Sequence, residues 1–198
     1  MKFSRKEVKE LWIAGLIISL AFAILLAGGY NALFSFNLSI LVVFFIAFFT
    51  AGMGFLLHEL MHKYVAQKYG LFAEFRAYYL GLFMALIFSL FGFILAAPGA
   101  VIIHGFITRE KNGKISLAGP TTNIVLASIF LILVIFTAEN NLLKAFLSYG
   151  LSINSLLALF NMLPVMPFDG SKIFAWNKKI YLLTILVALI LFIISFIV

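Results

Sequence analysis

The sequence predicts an all-α polytopic membrane protein with about five to six transmembrane helices, and three observations carry that prediction. Hydrophobic residues make up 65% of the 198 and charged residues only 11%, where soluble domains carry about a quarter charged. Mean hydropathy is +1.18. Apolar stretches near the length a helix needs to cross a bilayer, about 20 residues, recur along the chain. They take up most of it, so a single membrane-embedded domain over 1–198 is expected, with no room for a separate soluble module.

The spans follow in order. Met1-Lys2-Phe3-Ser4-Arg5-Lys6 leads into a first apolar run from about Leu11 to Gly29. That run is long for a signal core and precedes no small-residue cleavage site, so it reads as a retained span. It breaks at Gly28-Gly29-Tyr30-Asn31. The second runs from about Leu38 to Gln67, and three later ones from Ile115 to Ala138, Leu142 to Met166 and Ile180 to Val198. Between them, Ala77 to Ile107 is free of charge but punctuated by Gly81, Gly92, Pro98, Gly99 and Gly105.

Charge decides what this punctuated run does. The net charge of +7 is spread in short basic clusters beside apolar runs, a pattern that suits anionic headgroups and membrane topology and leaves nucleic acid without a case. Lys2, Arg5, Lys6 and Lys9 put the amino terminus in the cytoplasm of a multi-pass protein of the cell membrane. A single crossing by 77–107 would then place Arg109, Lys111, Lys114, Lys172, Lys178 and Lys179 outside. A segment that dips in and returns keeps them inside and leaves Glu139-Asn140-Asn141 outside. Such a segment must hide its backbone polar groups against protein, which suits extended or hairpin structure. The alternative is one ordinary helix from Tyr79 to Ala97.

The chemistry sits at the end of the second span. Leu11 to Leu57 contains no Asp, Glu, Lys or Arg, and then comes His58-Glu59-Leu60-Met61-His62. Residues four apart share a helix face, so His58 and His62 can present two imidazoles to one cation, while Glu59, about 100° around, can serve as a general base. Ionisable groups at membrane depth are costly and default to function. The chain has no Cys, so any metal is held by His and carboxylates.

A catalytic zinc needs a third protein ligand. Asp169 fits: it ends a charge-free run from Ala145 to Phe168 and lies on the same predicted side as the motif. Pro164 and Pro167 break the helix before it and Gly170 allows a sharp turn after it, so its angle can be fixed. His104, Glu74 and Glu139 are weaker candidates; Glu74 is expected to pair with Arg76 or to be solvated. Asn123 and Asn154 read as polar residues that pack helices, and Ala51, Gly52 and Gly54 as small residues permitting close approach, more readily of a helix than of a substrate strand. His58 is five residues from Lys63, about 7.5 Å along a helix, which places the site within reach of the cytoplasm.

Three ordered motifs then carry a resemblance. The HExxH, the Gly119-Pro120-x-x-Asn123 segment, and Asn161-x-x-Pro164-x-x-Pro167-x-Asp169-Gly170 together resemble the site-2 protease family of intramembrane zinc metalloproteases, over about Gly52 to Lys172. The resemblance implies one Zn²⁺ per chain bound by His58, His62 and Asp169, with Glu59 as general base and Asn161 holding substrate or stabilising the oxyanion. It places Gly119, Pro120, Asn123, Pro164, Pro167 and Gly170 as structural residues near the site. It also implies a catalytic core over about 38–172 and a short membrane-associated or re-entrant β-containing segment at about 71–114, with Pro98-Gly99 at a turn. The substrate would be a single-span membrane protein cut in or near the bilayer. Many family members carry PDZ or CBS domains; this chain has room for neither and looks like a minimal form. The rival is a catalytically silent metal-binding scaffold or transporter, for which Glu59 would be unnecessary.

Overall fold

The computed structural model describes residues 1–30, 39–94, 97–138 and 142–198. They form two compact units, one of residues 1–56 and 73–102, the other of 57–72 and 103–198.

In the first unit, α1 (Arg5–Leu26) starts at Ser4, whose hydroxyl accepts from the Glu7 N–H at 3.1 Å, an N-cap that satisfies one orphan donor. It ends where Gly28 and Gly29 take φ of 93° and 68°, a left-handed conformation that favours glycine. Helix α2 (Ser39–Ala47) passes through a π-helical segment, Phe48–Gly52, into α3 (Met53–Lys68). In the π segment Thr50 bonds back to the Ile46 carbonyl at 2.7 Å. The small residues meet a helix, as expected: a side chain on Gly52 would strike Ser19 of α1, and one on Gly15 would strike Leu56. Ser19 is held there by its own bond to the Gly15 carbonyl, at 2.6 Å.

Strands β1 (Phe72–Ala77) and β2 (Gly99–His104) pair as a two-stranded sheet. Gly99 lies against Ala77, Tyr78 donates to the Pro98 carbonyl at 3.1 Å, and at the far end the Phe72 ring meets His104. The strands are therefore antiparallel, and the chain returns beside the point where it left. Between them lies α4 (Tyr79–Leu90), where extended or hairpin structure was expected. The reason is local: no glycine or proline interrupts 82–91, and Gly81, Leu82, Ala85 and Ser89 bury one helical face. Twelve residues reach about 18 Å, short of the roughly 30 Å hydrocarbon core. A single spanning helix from Tyr79 to Ala97 is not formed, because α4 stops at Leu90 and Gly92 turns at φ 85°.

The free edge of β1 is taken up by α1. Glu7 accepts the Phe75 N–H at 2.9 Å and Glu10 the Ala77 N–H at 3.0 Å. Both carboxylates are buried, and Arg76 pairs with Glu10 and Glu74.

In the second unit α5 (Arg109–Ile135), α6 (Leu142–Asn161), α7 (Asp169–Trp176) and α8 (Lys178–Ile194) pack together. One core joins Ala127, Leu151 and Leu191; another joins Met162, Ile173 and Tyr181. Gly150 lets Phe130 lie against the backbone of α6.

Among the described residues four helices are long and apolar enough to cross a membrane: Arg5–Leu26, Ile40–Lys68, Arg109–Ile135 and Leu142–Asn161. Helix α8 has 17 residues. Val125, Ile129, Ile132 and Phe136 form an exposed stripe along α5, an apolar surface that water does not tolerate but lipid does. The loop at 139–141 lies outside the described residues.

Candidate metal centre

The site is built in the second unit from three helices. His58, Glu59 and His62 stand on α3, and all three are buried. Asp169, also buried, is the first residue of α7. A side chain on Gly170 would collide with the Met162 and Leu163 backbone. Gly170 therefore serves by close approach of α7 to the end of α6, and this approach fixes Asp169. Met166-Pro167 is a cis peptide bond in the connecting loop, and both Pro164 and Pro167 are exposed.

His58, His62 and Asp169 converge. The two Nε2 atoms are 3.0 Å apart, and Asp169 Oδ2 lies 3.3 Å from His58 Nε2 and 3.0 Å from His62 Nε2. A tetrahedral zinc with ligands at about 2.0–2.1 Å sets ligand atoms about 3.3 Å apart. The three edges match one face of that tetrahedron.

Hydrogen bonding fixes which nitrogen of each ring faces the site. His62 Nδ1 lies 2.8 Å from the Ile115 carbonyl, which can only accept, so Nδ1 carries a proton and, in the neutral imidazole that ligates a metal, Nε2 carries the lone pair. His58 Nδ1 lies 2.6 Å from Asn123 Oδ1, with the same consequence. Two imidazole lone pairs and a carboxylate oxygen at about 3 Å repel unless they share a cation, a proton or a metal. The second oxygen of Asp169, Oδ1, lies 3.6 Å from Lys172 Nζ.

The Gly-Pro motif on α5 explains itself here. A side chain on Gly119 would strike the ring nitrogens of both His58 and His62, so only glycine lets the helix pass beneath them. Pro120, buried inside α5, cannot donate to the Ser116 carbonyl and crowds it. The turn it loosens contains the Ile115 carbonyl that anchors His62.

Among the described residues the group that could hold a metal consists of His58, His62 and Asp169 and takes in no other candidate ligand. Glu74 pairs with Arg76, and His104 is exposed beside Phe72. Asn161 donates to the Leu157 carbonyl of its own helix at 2.9 Å. Glu139 lies outside the described residues. Lys63 is buried, at 1% exposure, and does not mark the headgroup level; the exposed Lys68 ends the helix ten positions, about 15 Å, beyond His58. Sequence reasoning missed that Ile115 and Asn123 orient the imidazoles and that Lys172 meets Asp169. The only signal was polar Asn123 within an apolar helix, which reads equally as packing.

An HExxH metal centre buried beside membrane-length helices defines a class, the membrane metallohydrolases. Comparison sharpens it. The chain is 46% identical over 182 residues, 91% of its length and 89% of the relative's, to a Methanocaldococcus jannaschii protein named "Putative zinc metalloprotease MJ0611". It is 34% identical over 142 residues, 63% of its length and 65% of the relative's, to "Putative zinc metalloprotease YwhC" of Bacillus subtilis. A second M. jannaschii protein, "Zinc metalloprotease MJ0392", matches at 32% over 118 residues, 59% of this chain and 30% of the relative. The chain belongs to the site-2 protease family of zinc metalloproteases. No protein-family model matches the chain, and no solved structure does. The cofactor is one zinc ion, and the buried His58, His62 and Asp169 group can hold it.

Proposed function

We propose that this protein is an intramembrane endopeptidase that hydrolyses peptide bonds in or near transmembrane segments of single-span membrane proteins. The observation that carries the reading is the buried triad of His58, His62 and Asp169 with Glu59, the two histidines and Glu59 standing on a 29-residue helix long and apolar enough to cross a membrane. Zinc, when bound, lowers the pKa of a water towards about 7 and polarises a carbonyl. Glu59 takes the proton of the attacking water as its oxygen adds to the scissile carbonyl carbon, and returns a proton to the departing amine nitrogen. Asn161 is assigned to substrate or oxyanion from its motif.

Five crossings fit this reading: α1, 40–68, α5, α6 and α8, with 78–98 returning to its starting strand. The amino terminus and the mouth of the site would then face the cytoplasm. In the second unit two basic residues stack on aromatics of α7, Lys114 over Trp176 and Lys178 over Phe174, as side chains at a headgroup interface do. A silent scaffold or transporter has no use for Glu59, and a peptidase of soluble peptides has no use for a site buried along a spanning helix.

The test is cleavage of a single-span substrate in liposomes. Glu59→Gln is expected to keep its zinc and lose about 10²–10⁴-fold in rate. Cleavage by that variant at the wild-type rate removes the proposed mechanism.

A further inference from the structure

The two histidines are anchored differently. His62 gives its Nδ1 proton to a main-chain carbonyl, that of Ile115. His58 gives its proton to a side chain, Asn123 Oδ1 at 2.6 Å, and that amide is held in turn. Asn123 Nδ2 donates to Asn154 Oδ1 at 3.1 Å, and Asn154 Nδ2 donates to the Gly150 carbonyl at 2.9 Å. Both asparagines are fully buried, Asn123 on α5 and Asn154 on α6.

The direction of this chain is fixed from its far end. A carbonyl can only accept, so Asn154 must turn its NH₂ to Gly150 and its oxygen to Asn123. Asn123 must then turn its NH₂ to Asn154, which leaves its oxygen for His58. That oxygen demands a proton on His58 Nδ1 and so leaves the Nε2 lone pair facing His62 and Asp169. An Asn123 amide free to flip would offer NH₂ to His58 instead and favour the tautomer that cannot ligate.

We propose that Asn123 and Asn154 are positioning residues that set the tautomer and ring orientation of His58, and that Asn154 acts on the metal site from α6 without touching a ligand. Each amide accepts on one side and donates on the other, and at position 123 the oxygen facing His58 is the part that sets the tautomer. Removing partners of metal-bound histidines typically costs about 10–100-fold in metal affinity. The proposal rests on the metal reading of the triad and not on the nature of the substrate.

The experiment is zinc affinity of the purified full chain in detergent, by competition with a chromogenic chelator, beside thermal unfolding of the metal-free protein. Asn123→Leu, apolar and of similar size, is expected to weaken zinc by about 10–100-fold. Asn154→Leu should weaken it by a smaller factor, and Asn123→Asp, which still accepts from His58, should stay within about threefold of wild type. Should Asn123→Leu not fold, the other two variants still decide, since only a relay makes Asn154→Leu the weaker binder of the pair. Unchanged zinc affinity in Asn154→Leu overturns the relay, as does loss of thermal stability with no change in affinity. Weakened zinc in Asn154→Leu beside a zinc-loaded wild type that cuts no membrane substrate leaves the relay standing and removes the peptidase reading; unchanged zinc in Asn154→Leu beside a wild type that cuts does the reverse.

Discussion

Each unit buries carboxylates, and their surroundings are opposite. In the first, Glu7 and Glu10 accept the N–H groups of Phe75 and Ala77, with Lys6 3.8 Å and Arg76 3.9 Å from Glu10. Every one of these neighbours is a donor. In the second, Asp169 Oδ2 faces two imidazole nitrogens whose protons point the other way, towards Ile115 and Asn123. A carboxylate met by donors is already satisfied and holds a strand. An oxygen met by lone pairs needs a cation of its own, and Lys172 lies on the other oxygen of Asp169. Depth in an apolar protein thus does not mark a functional acid; the direction of the neighbouring lone pairs does.

The comparison can be broken at several points. The largest expected effect is from His58→Ala or His62→Ala, which leave two ligands for a metal that takes three from the protein; cleavage should fall below detection in a liposome assay. Detectable turnover in either would mean that the triad is not the working centre. Gly119→Ala comes next, because its new methyl group must displace both imidazoles. A loss of about tenfold or more in zinc affinity is expected, on the scale seen for disturbed ligand orientation, and a chelator titration reads it. Glu7→Ala should act only on stability, costing about 1–3 kcal/mol for the stranded Phe75 N–H, read as a lower unfolding temperature in detergent with zinc content intact. Gly52→Ala should cost about 1–3 kcal/mol by overpacking against Ser19, with the same separation of readouts.

Much of the site was legible because its residues are rare in this chain. His58, Glu59 and His62 interrupt a charge-free run, and Asp169 ends another. The return of 78–98 was legible from basic clusters that a net crossing would have put on two sides. Helix α4 was legible only as part of the alternative, a helix from Tyr79 to Ala97, and its end at Leu90 was not, since only tertiary burial of Leu82 and Ala85 shows where a helix survives between Gly81 and Gly92. Nor were the roles of Asn123 and Asn154: their partners lie 65 and 31 positions away along the chain, and helical periodicity carries no information about what another helix offers. Gly170 was legible as necessary but for the wrong reason, because close approach and a sharp turn leave the same residue in a sequence.

The most direct measurement sets the two kinds of carboxylate side by side: zinc per chain in wild type, Asp169→Ala and Glu10→Ala, each purified without chelator. One zinc is expected in wild type and in Glu10→Ala, and none in Asp169→Ala. Full zinc in Asp169→Ala, or its loss from Glu10→Ala with the fold retained, would contradict the account.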